Sequence, residues 1–360
     1  MKGSFRIQAQ TKEAAYDITI RRNITVITGD SGSGKSLLSI IAERSSVGAY
    51  GYSCVATPNV SVVSPSPGEV FRRDMGFYEN SIVILDEDVL HRLSFDTISD
   101  ILHSSSSYWI LITRKMEYLE RFQFSVHEIY SLYSDNDVLK LRPYYDIPAN
   151  RLFGYYSGME LSGFISEDSN SCFKFFSKVL GDNPIKVSSC GKGGIVPKIK
   201  EFASHTSKLI VFLDASAYGP YMTLLFSTLV MNAYKDCVCI YFMESFEWFL
   251  LHSIMFKEDV KIQELLRNPY DFIESREYMT HEQFYTPYLA RVCPKYALRY
   301  AKKKEPVSFM GEDNVAHLLS LMGLIEAPKK VSKIDINKEL TAEDFANMEA
   351  SLAKLKKPRS

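Results

Sequence analysis

The sequence predicts an α/β protein: a nucleotide-binding sheet in the first half, a second parallel-sheet unit after it, and a helical C-terminal region. Three observations carry this. Residues 23–41 (NITVITGDSGSGKSLLSII) run from a β-branched apolar strand through a glycine-rich loop into a helix. Residues 81–88 (SIVILDED) are an apolar strand closed by acids. Between residues 160 and 242, apolar runs of strand length alternate with helical patterns, as βαβ units require.

In chain order, residues 5–10 and 16–20 read as a hairpin leading into the strand at 24–27. Gly29-Asp30-Ser31-Gly32-Ser33-Gly34-Lys35-Ser36 then matches G-x-x-x-x-G-K-[ST], the phosphate-binding P-loop, and Leu37 opens the helix. The glycines let the backbone turn tightly and bring its N–H groups near phosphate oxygens. The helix N-terminus adds unpaired donors and partial positive charge. Lys35 is placed to reach the β- and γ-phosphates of ATP, and the Ser36 hydroxyl to bind Mg²⁺. Residues 47–68 suggest short strands and loops. The strand at 81–85 places Asp86 to hold the Mg²⁺ shell and Glu87 to orient or deprotonate an attacking water. A helix is expected at 94–104 and a buried strand with a polar end at 108–114. Thr113 or Arg114 could then sense the γ-phosphate, and Arg114 reads equally well as a solvent-facing strand end. A second hairpin is expected at 128–142, and residues 142–158 read as a linker.

The second unit repeats the strand–helix order: strands at 160–166, 185–189, 209–213 and 237–242, helices at 170–180, 196–203 and 221–234. Acids fall at the strand ends: Glu167-Asp168, Asp214, then Glu244 and Glu247. On a parallel sheet these ends share one edge. Converging carboxylates repel unless a cation offsets them, the arrangement that metal-assisted phosphodiester chemistry uses. Residues 257–325 read as a helical extension and 326–360 as a charged tail with a linker and a terminal helix at 342–355. The most basic stretch, residues 291–304 (RVCPKYALRYAKKK), is either a phosphate-backbone contact or a solvated helix face.

The 360 residues leave room for two domains, here 1–150 and 159–256, and the 46% apolar and 24% charged composition is that of an ordinary globular protein. The net charge of −1 offers no global basic field for nucleic acid, so a DNA contact must be local. The 22 Tyr and 22 Phe read as core and interface material, with a second copy or a protein partner expected. Six cysteines show no C-x₂-C spacing and no histidine cluster, which argues against zinc and for reduced thiols. No apolar signal segment opens the sequence, and its longest apolar stretch, 237–256, contains Glu244 and Glu247. A cytoplasmic protein without membrane contact is expected.

The first half resembles an ABC-type P-loop ATPase in the order of its entry hairpin, GDSGSGKS, Leu85-Asp86-Glu87 and the strand ending at Thr113. It lacks an LSGGQ-like signature, and Arg114 stands where that family places a switch histidine. The second half resembles a TOPRIM domain: a Glu after the first strand, a glycine-rich turn (Gly191-Lys192-Gly193-Gly194) after the second, and an Asp after the third. The family's Asp-x-Asp is here Asp214-Ala215-Ser216, one ligand fewer. Together the halves resemble a reduced member of the overcoming-lysogenization-defect ATPase–nucleases. The resemblance implies ATP with Mg²⁺ at the P-loop. It implies Glu167 as acid/base or metal ligand and Asp214 as metal ligand, helped by Asp168 or Glu247, for Mg²⁺ or Mn²⁺. It further implies a nucleotide-regulated, DNA-directed role in phage defence or mobile-element maintenance. The alternative is a regulatory ATPase whose second domain only binds a partner.

Overall fold

The chain opens with a hairpin whose two-residue alternation decides which face is covered. In β1 (Phe5–Gln10), Phe5, Ile7 and Ala9 are buried while their neighbours are exposed, and β2 (Ala15–Ile20) mirrors it in antiparallel register. β3 (Ile24–Thr28) is buried on both faces, as its unbroken β-branched run requires. α1 (Lys35–Ser46) follows the glycine-rich loop. β4 (Ser53–Thr57) pairs with β1, and β5 (Ser61–Val63) with β6 (Ser81–Leu85). The short α2 (Glu87–Leu90) and α3 (Phe95–His103) lead to β7 (Tyr108–Ile112). β8 (Ile129–Asp135) and β9 (Val138–Pro143) form the second hairpin, turned at Asn136 and Asp137, both at positive φ. This computed structural model describes residues 1–65, 78–103, 106–153 and 161–325, all within one compact unit, Met1–Glu326. The tail linker and the helix expected at 342–355 lie outside the described residues.

Among the described residues, the first sheet has nine strands in the order β4-β1-β2-β9-β8-β3-β7-β6-β5. β8, β3, β7, β6 and β5 are mutually parallel, so the ends of β3 and β6 share an edge. The mixed wing of β9, β2, β1 and β4 extends the sheet on one side.

The connector contributes β10 (Arg151–Leu152), which pairs antiparallel with the last strand of a second sheet. That sheet is built by β11 (Gly163–Ser166), α4 (Ser171–Val179), β12 (Ile185–Ser188), α5 (Ile195–Ala203), β13 (Leu209–Asp214), α6 (Met222–Met231) and β14 (Val238–Met243). Its order is β10-β14-β13-β11-β12, parallel except at β10. α7 (Phe246–Leu251), α8 (Val260–Arg267), α9 (His281–Val292) and α10 (Glu312–Leu321) complete the C-terminal region. The chain is thus α/β, with largely parallel sheets. Among the described residues no helix is long and apolar enough to cross a membrane.

Alternation along each strand divides the interior. Ile82, Ile84, Tyr108 and Ile110 face α1 in one cluster, whereas Val83, Leu85, Trp109 and Leu111 face the opposite way. That second cluster also takes in Leu209, Val211 and Leu213 of β13 with Val238, Ile240 and Phe242 of β14, so the two sheets share a core. Ile210 and Phe212 turn to the other face, where Phe176 stacks on Phe212 at 3.8 Å and the C-terminal helices close over them.

Candidate functional site

The glycine-rich loop lies where the parallel strands end. Gly34 caps α1 at φ +89, a left-handed conformation that disfavours any residue with a Cβ. A Cβ there would also meet Leu139 Cδ1 at 2.9 Å and the Tyr16 hydroxyl at 3.0 Å. That hydroxyl donates to the Gly34 carbonyl at 2.7 Å, so the first hairpin holds the loop in place. Lys35 folds back along the loop, and its ammonium donates to the carbonyls of Gly29 (2.9 Å) and Asp30 (2.6 Å) and to the Ser33 hydroxyl (2.8 Å). Burial and the charge of Arg114 lower its pKa, although Asp30, Glu87 and Asp86 pull the other way.

Ser36 Oγ lies 3.5 Å from Asp86 Oδ1, which also accepts the Glu87 N–H at 2.7 Å as the cap of α2. The walls, from Ser31 to Leu37 with Asp86, Glu87 and Arg114, enclose about 470 Å³ open to solvent. Mg²⁺ takes hard oxygen ligands at about 2.0–2.1 Å, so one ion would be held between a hydroxyl and a carboxylate spaced as Ser36 and Asp86 are. Glu87 is engaged: its Oε2 accepts from the Arg114 backbone N–H (3.0 Å) and Nε (3.3 Å). Burial opposes ionisation of Glu87, but the two bonds from Arg114 outweigh it and hold its pKa below the usual value. Arg114 therefore points at this cleft, where the sequence left it undecided.

The acids of the second sheet also gather, in part. Glu167, Asp168, Asp214 and Glu247 line one small cleft, joined by Tyr300 and Lys302 of the basic stretch and by Glu282, which the sequence did not single out. About 20 Å³ is free inside, room for one water-sized species. Burial pushes Glu167 up to about 7, with Lys192 pulling down and Glu282 and Asp168 pushing up. Burial and then Glu167 push Asp214 well above the usual carboxylate range. Glu167 Oε2 is buried without a hydrogen-bond partner, as is the hydroxyl of Ser216. Even so, among the described residues no three His, Cys, Asp or Glu side chains are gathered closely enough to hold a metal ion. With its present neighbours the cleft does not fit the divalent ion that the resemblance implies.

Two expectations need correction. Glu244 does not join this cleft. It accepts a two-pronged ion pair from Arg22, at 2.7 and 2.9 Å, across the seam between the sheets. Arg22 Nε also lies 3.2 Å from Glu128 Oε1, and His281 Nδ1 lies 3.5 Å from Glu244 Oε2. One guanidinium thus serves two buried carboxylates. Burial raises the pKa of both, but the paired Arg22 holds Glu244 well below the usual range. Glu128 is pushed up to about 7, burial outweighing Arg22. The second correction is at residues 291–304. Helix α9 ends at Val292, a tight turn spans Cys293–Tyr296, and Ala297 adopts φ +56. Pro294 cannot continue a helical ladder, so the rest of the stretch leaves the helical path.

A cavity of about 1350 Å³ lies beside Tyr144, Tyr145, Phe153 and Phe226 and, among the described residues, shares Arg114 alone with the glycine-rich loop cleft. Arg114, Lys115, Glu117, Glu120, Asp146 and Arg151 line it together with apolar side chains. No protein-family model matches this sequence, and no curated protein matches it.

Proposed function

We propose that this chain is an ATP-binding P-loop protein, nucleotide-regulated and DNA-directed, whose second sheet carries a phosphodiester-cleaving centre held in a latent form. The observation that carries the reading is the arrangement of Lys35, Ser36 and Asp86 in one open cleft at the edge of a parallel sheet. In this reading the loop N–H groups and Lys35 take the phosphates, and the ammonium exchanges its loop carbonyls for phosphate oxygens. Ser36 and Asp86 would hold Mg²⁺, which would offset the phosphate charge. Arg114 holds Glu87 at the γ-phosphate end. The resemblance to ABC-type ATPases, TOPRIM domains and the overcoming-lysogenization-defect family supports the combination, as does the gathering of Glu167, Asp214 and Glu247 at one strand edge. A role in phage defence or mobile-element maintenance follows from that resemblance.

Isothermal titration with ATP and Mg²⁺ tests the first half. Lys35→Ala should weaken binding about 100-fold, because charge-assisted hydrogen bonds contribute about 1.5–3 kcal/mol each and tenfold is 1.4 kcal/mol. Unchanged affinity would refute nucleotide binding at this loop. A plasmid assay with Mg²⁺ or Mn²⁺, with and without ATP, tests the second half. Cleavage that Asp214→Ala abolishes would support the reading, and no cleavage under any of these conditions, or equal cleavage by Asp214→Ala, would refute it.

A further inference from the structure

Helix α6 (MTLLFSTLVM) carries no charge, and no charged residue stands anywhere from Ala215 to Tyr234. A helix apolar all round belongs in an interior. Here one side alone is covered. Met222, Leu225 and Leu229 are buried in the core that the sheets share, whereas Leu224, Val230 and Met231 are 56%, 45% and 85% exposed. Together with Thr223 and Ser227 these exposed residues follow the spacing of one helix face. The polar groups of that face are already satisfied within the chain. The Tyr145 and Thr223 hydroxyls share a hydrogen bond at 3.2 Å, and the Ser227 hydroxyl donates to the Leu224 carbonyl at 3.1 Å.

The face runs into the cavity of about 1350 Å³, where Thr223, Leu224, Phe226 and Ser227 form one wall. A chain of rings forms another: Tyr144 against Tyr145 at 5.1 Å, Tyr145 against Phe226 at 5.4 Å, and Phe226 against Phe153 at 5.5 Å. Open to solvent and above the roughly 300–1,000 Å³ of a small-molecule pocket, this space has the scale of a protein-docking groove. A lipid surface or a nucleic acid would call for Lys or Arg flanking the apolar side chains, and α6 has none. The charged part of the lining carries both signs equally: Arg114, Lys115 and Arg151 with Glu117, Glu120 and Asp146. A face that is uncharged along its helix and balanced beside it meets its own copy without net like-charge repulsion, as a two-fold contact demands.

We propose that the open face of α6 and the groove beside it form a docking surface for a second copy of this chain, α6 packing on α6 about a two-fold axis. Leu224 and Met231 are the apolar anchors, and Ser227, small and already hydrogen-bonded, sits between them on the face. Pairing removes the exposed apolar side chains from water, which is the driving force of the contact. The contact needs neither nucleotide nor nucleic acid, so it stands independently of the function proposed above.

Sedimentation equilibrium of the full chain without nucleotide tests this. The parent should be a dimer at tens of micromolar. Leu224→Lys combined with Met231→Lys should raise the dimer dissociation constant at least about 30-fold, the effect of losing one interface hot spot. Leu224→Glu combined with Met231→Glu should do the same. An equimolar mixture of the Lys and Glu chains should recover the dimer, because a two-fold contact sets the patch of one copy on the same patch of the other. Met231→Lys alone, at the most exposed of these positions, should give a smaller rise and serves if a combined variant fails to fold. Val47→Lys, at an exposed apolar position just after α1, should match the parent. A monomeric parent overturns the proposal and leaves the face to a different protein. A dimer that survives the α6 variants, or that Val47→Lys weakens as much, places the contact elsewhere and overturns it too, as does a mixture that stays monomeric.

Discussion

The two clefts lie at strand edges of parallel sheets, and they differ in what covers them. The cleft of the glycine-rich loop is open, about 470 Å³, and made mostly of neighbours in sequence. The acidic cleft retains about 20 Å³ and is assembled from β11, β13, α7, α9 and the segment after α9. The first is open to solvent. The second is filled by the protein's own side chains. A parallel sheet brings polar groups together at its edge, but the connections beyond that edge decide whether solvent and ligand can reach them.

The largest effect expected concerns the seam that joins these regions. Arg22→Met would leave Glu244 and Glu128 buried without their guanidinium, a loss of about 3–5 kcal/mol. Urea unfolding followed by circular dichroism measures it, and a loss below about 1 kcal/mol would mean that the seam's ion pairs contribute little net stability.

A smaller effect separates the closed cleft from the open one. Tyr300→Phe removes the hydrogen bond to Glu247, which is 2% exposed, and should destabilise the fold by about 1.5–3 kcal/mol. ATP affinity should not change, since Tyr300 does not line the loop cleft. Altered ATP affinity in this variant would show that the clefts are coupled more closely than their separate linings suggest.

The smallest effect is a slope. Glu128 has its folded-state pKa raised to about 7, so the folded chain holds that proton more tightly than the unfolded chain does. Its contribution to stability is complete below its unfolded value and is lost as pH rises through about 7. Glu167 has the same sign, whereas Glu244, held low by Arg22, loses its contribution only as pH falls below the carboxylate range. Glu128→Gln should therefore flatten the decline in urea midpoint between about pH 4.5 and 7, by less than about 1.4 kcal/mol per pH unit. An unchanged slope would place the proton elsewhere, in the cleft around Glu167 and Asp214.

The same contrast explains what could be read from the residues alone. The strands around Val26, Ile84 and Leu111 were legible because fully buried parallel strands need unbroken apolar runs. The glycine-rich loop was legible because it is contiguous in sequence and turns on glycines at positive φ, Gly29, Gly32 and Gly34. Glu167, Asp214 and Glu247 were legible as strand-end acids, since chain order alone puts such ends on one edge. Arg22 gave no local sign: its partner Glu244 is 222 positions away, and only tertiary packing makes the pair buried. Tyr300 and Lys302 sat in a stretch whose composition suits solvent or phosphate. Its inward turn depends on the break after α9 and on the hold of Ser171 and Lys174, which no local pattern encodes.

One consequence comes from the seam itself. Gly219 approaches Phe124 so closely that a Cβ would lie 2.3 Å from its ring, and its N–H donates to the Phe124 carbonyl at 3.0 Å. Around it, β3, β6 and β7 send alternate side chains into the same cluster as β13 and β14. The sheets are therefore partners in one melting event. A nucleotide bound at the first would slow proteolysis of the second by mass action alone, with no message passing between them.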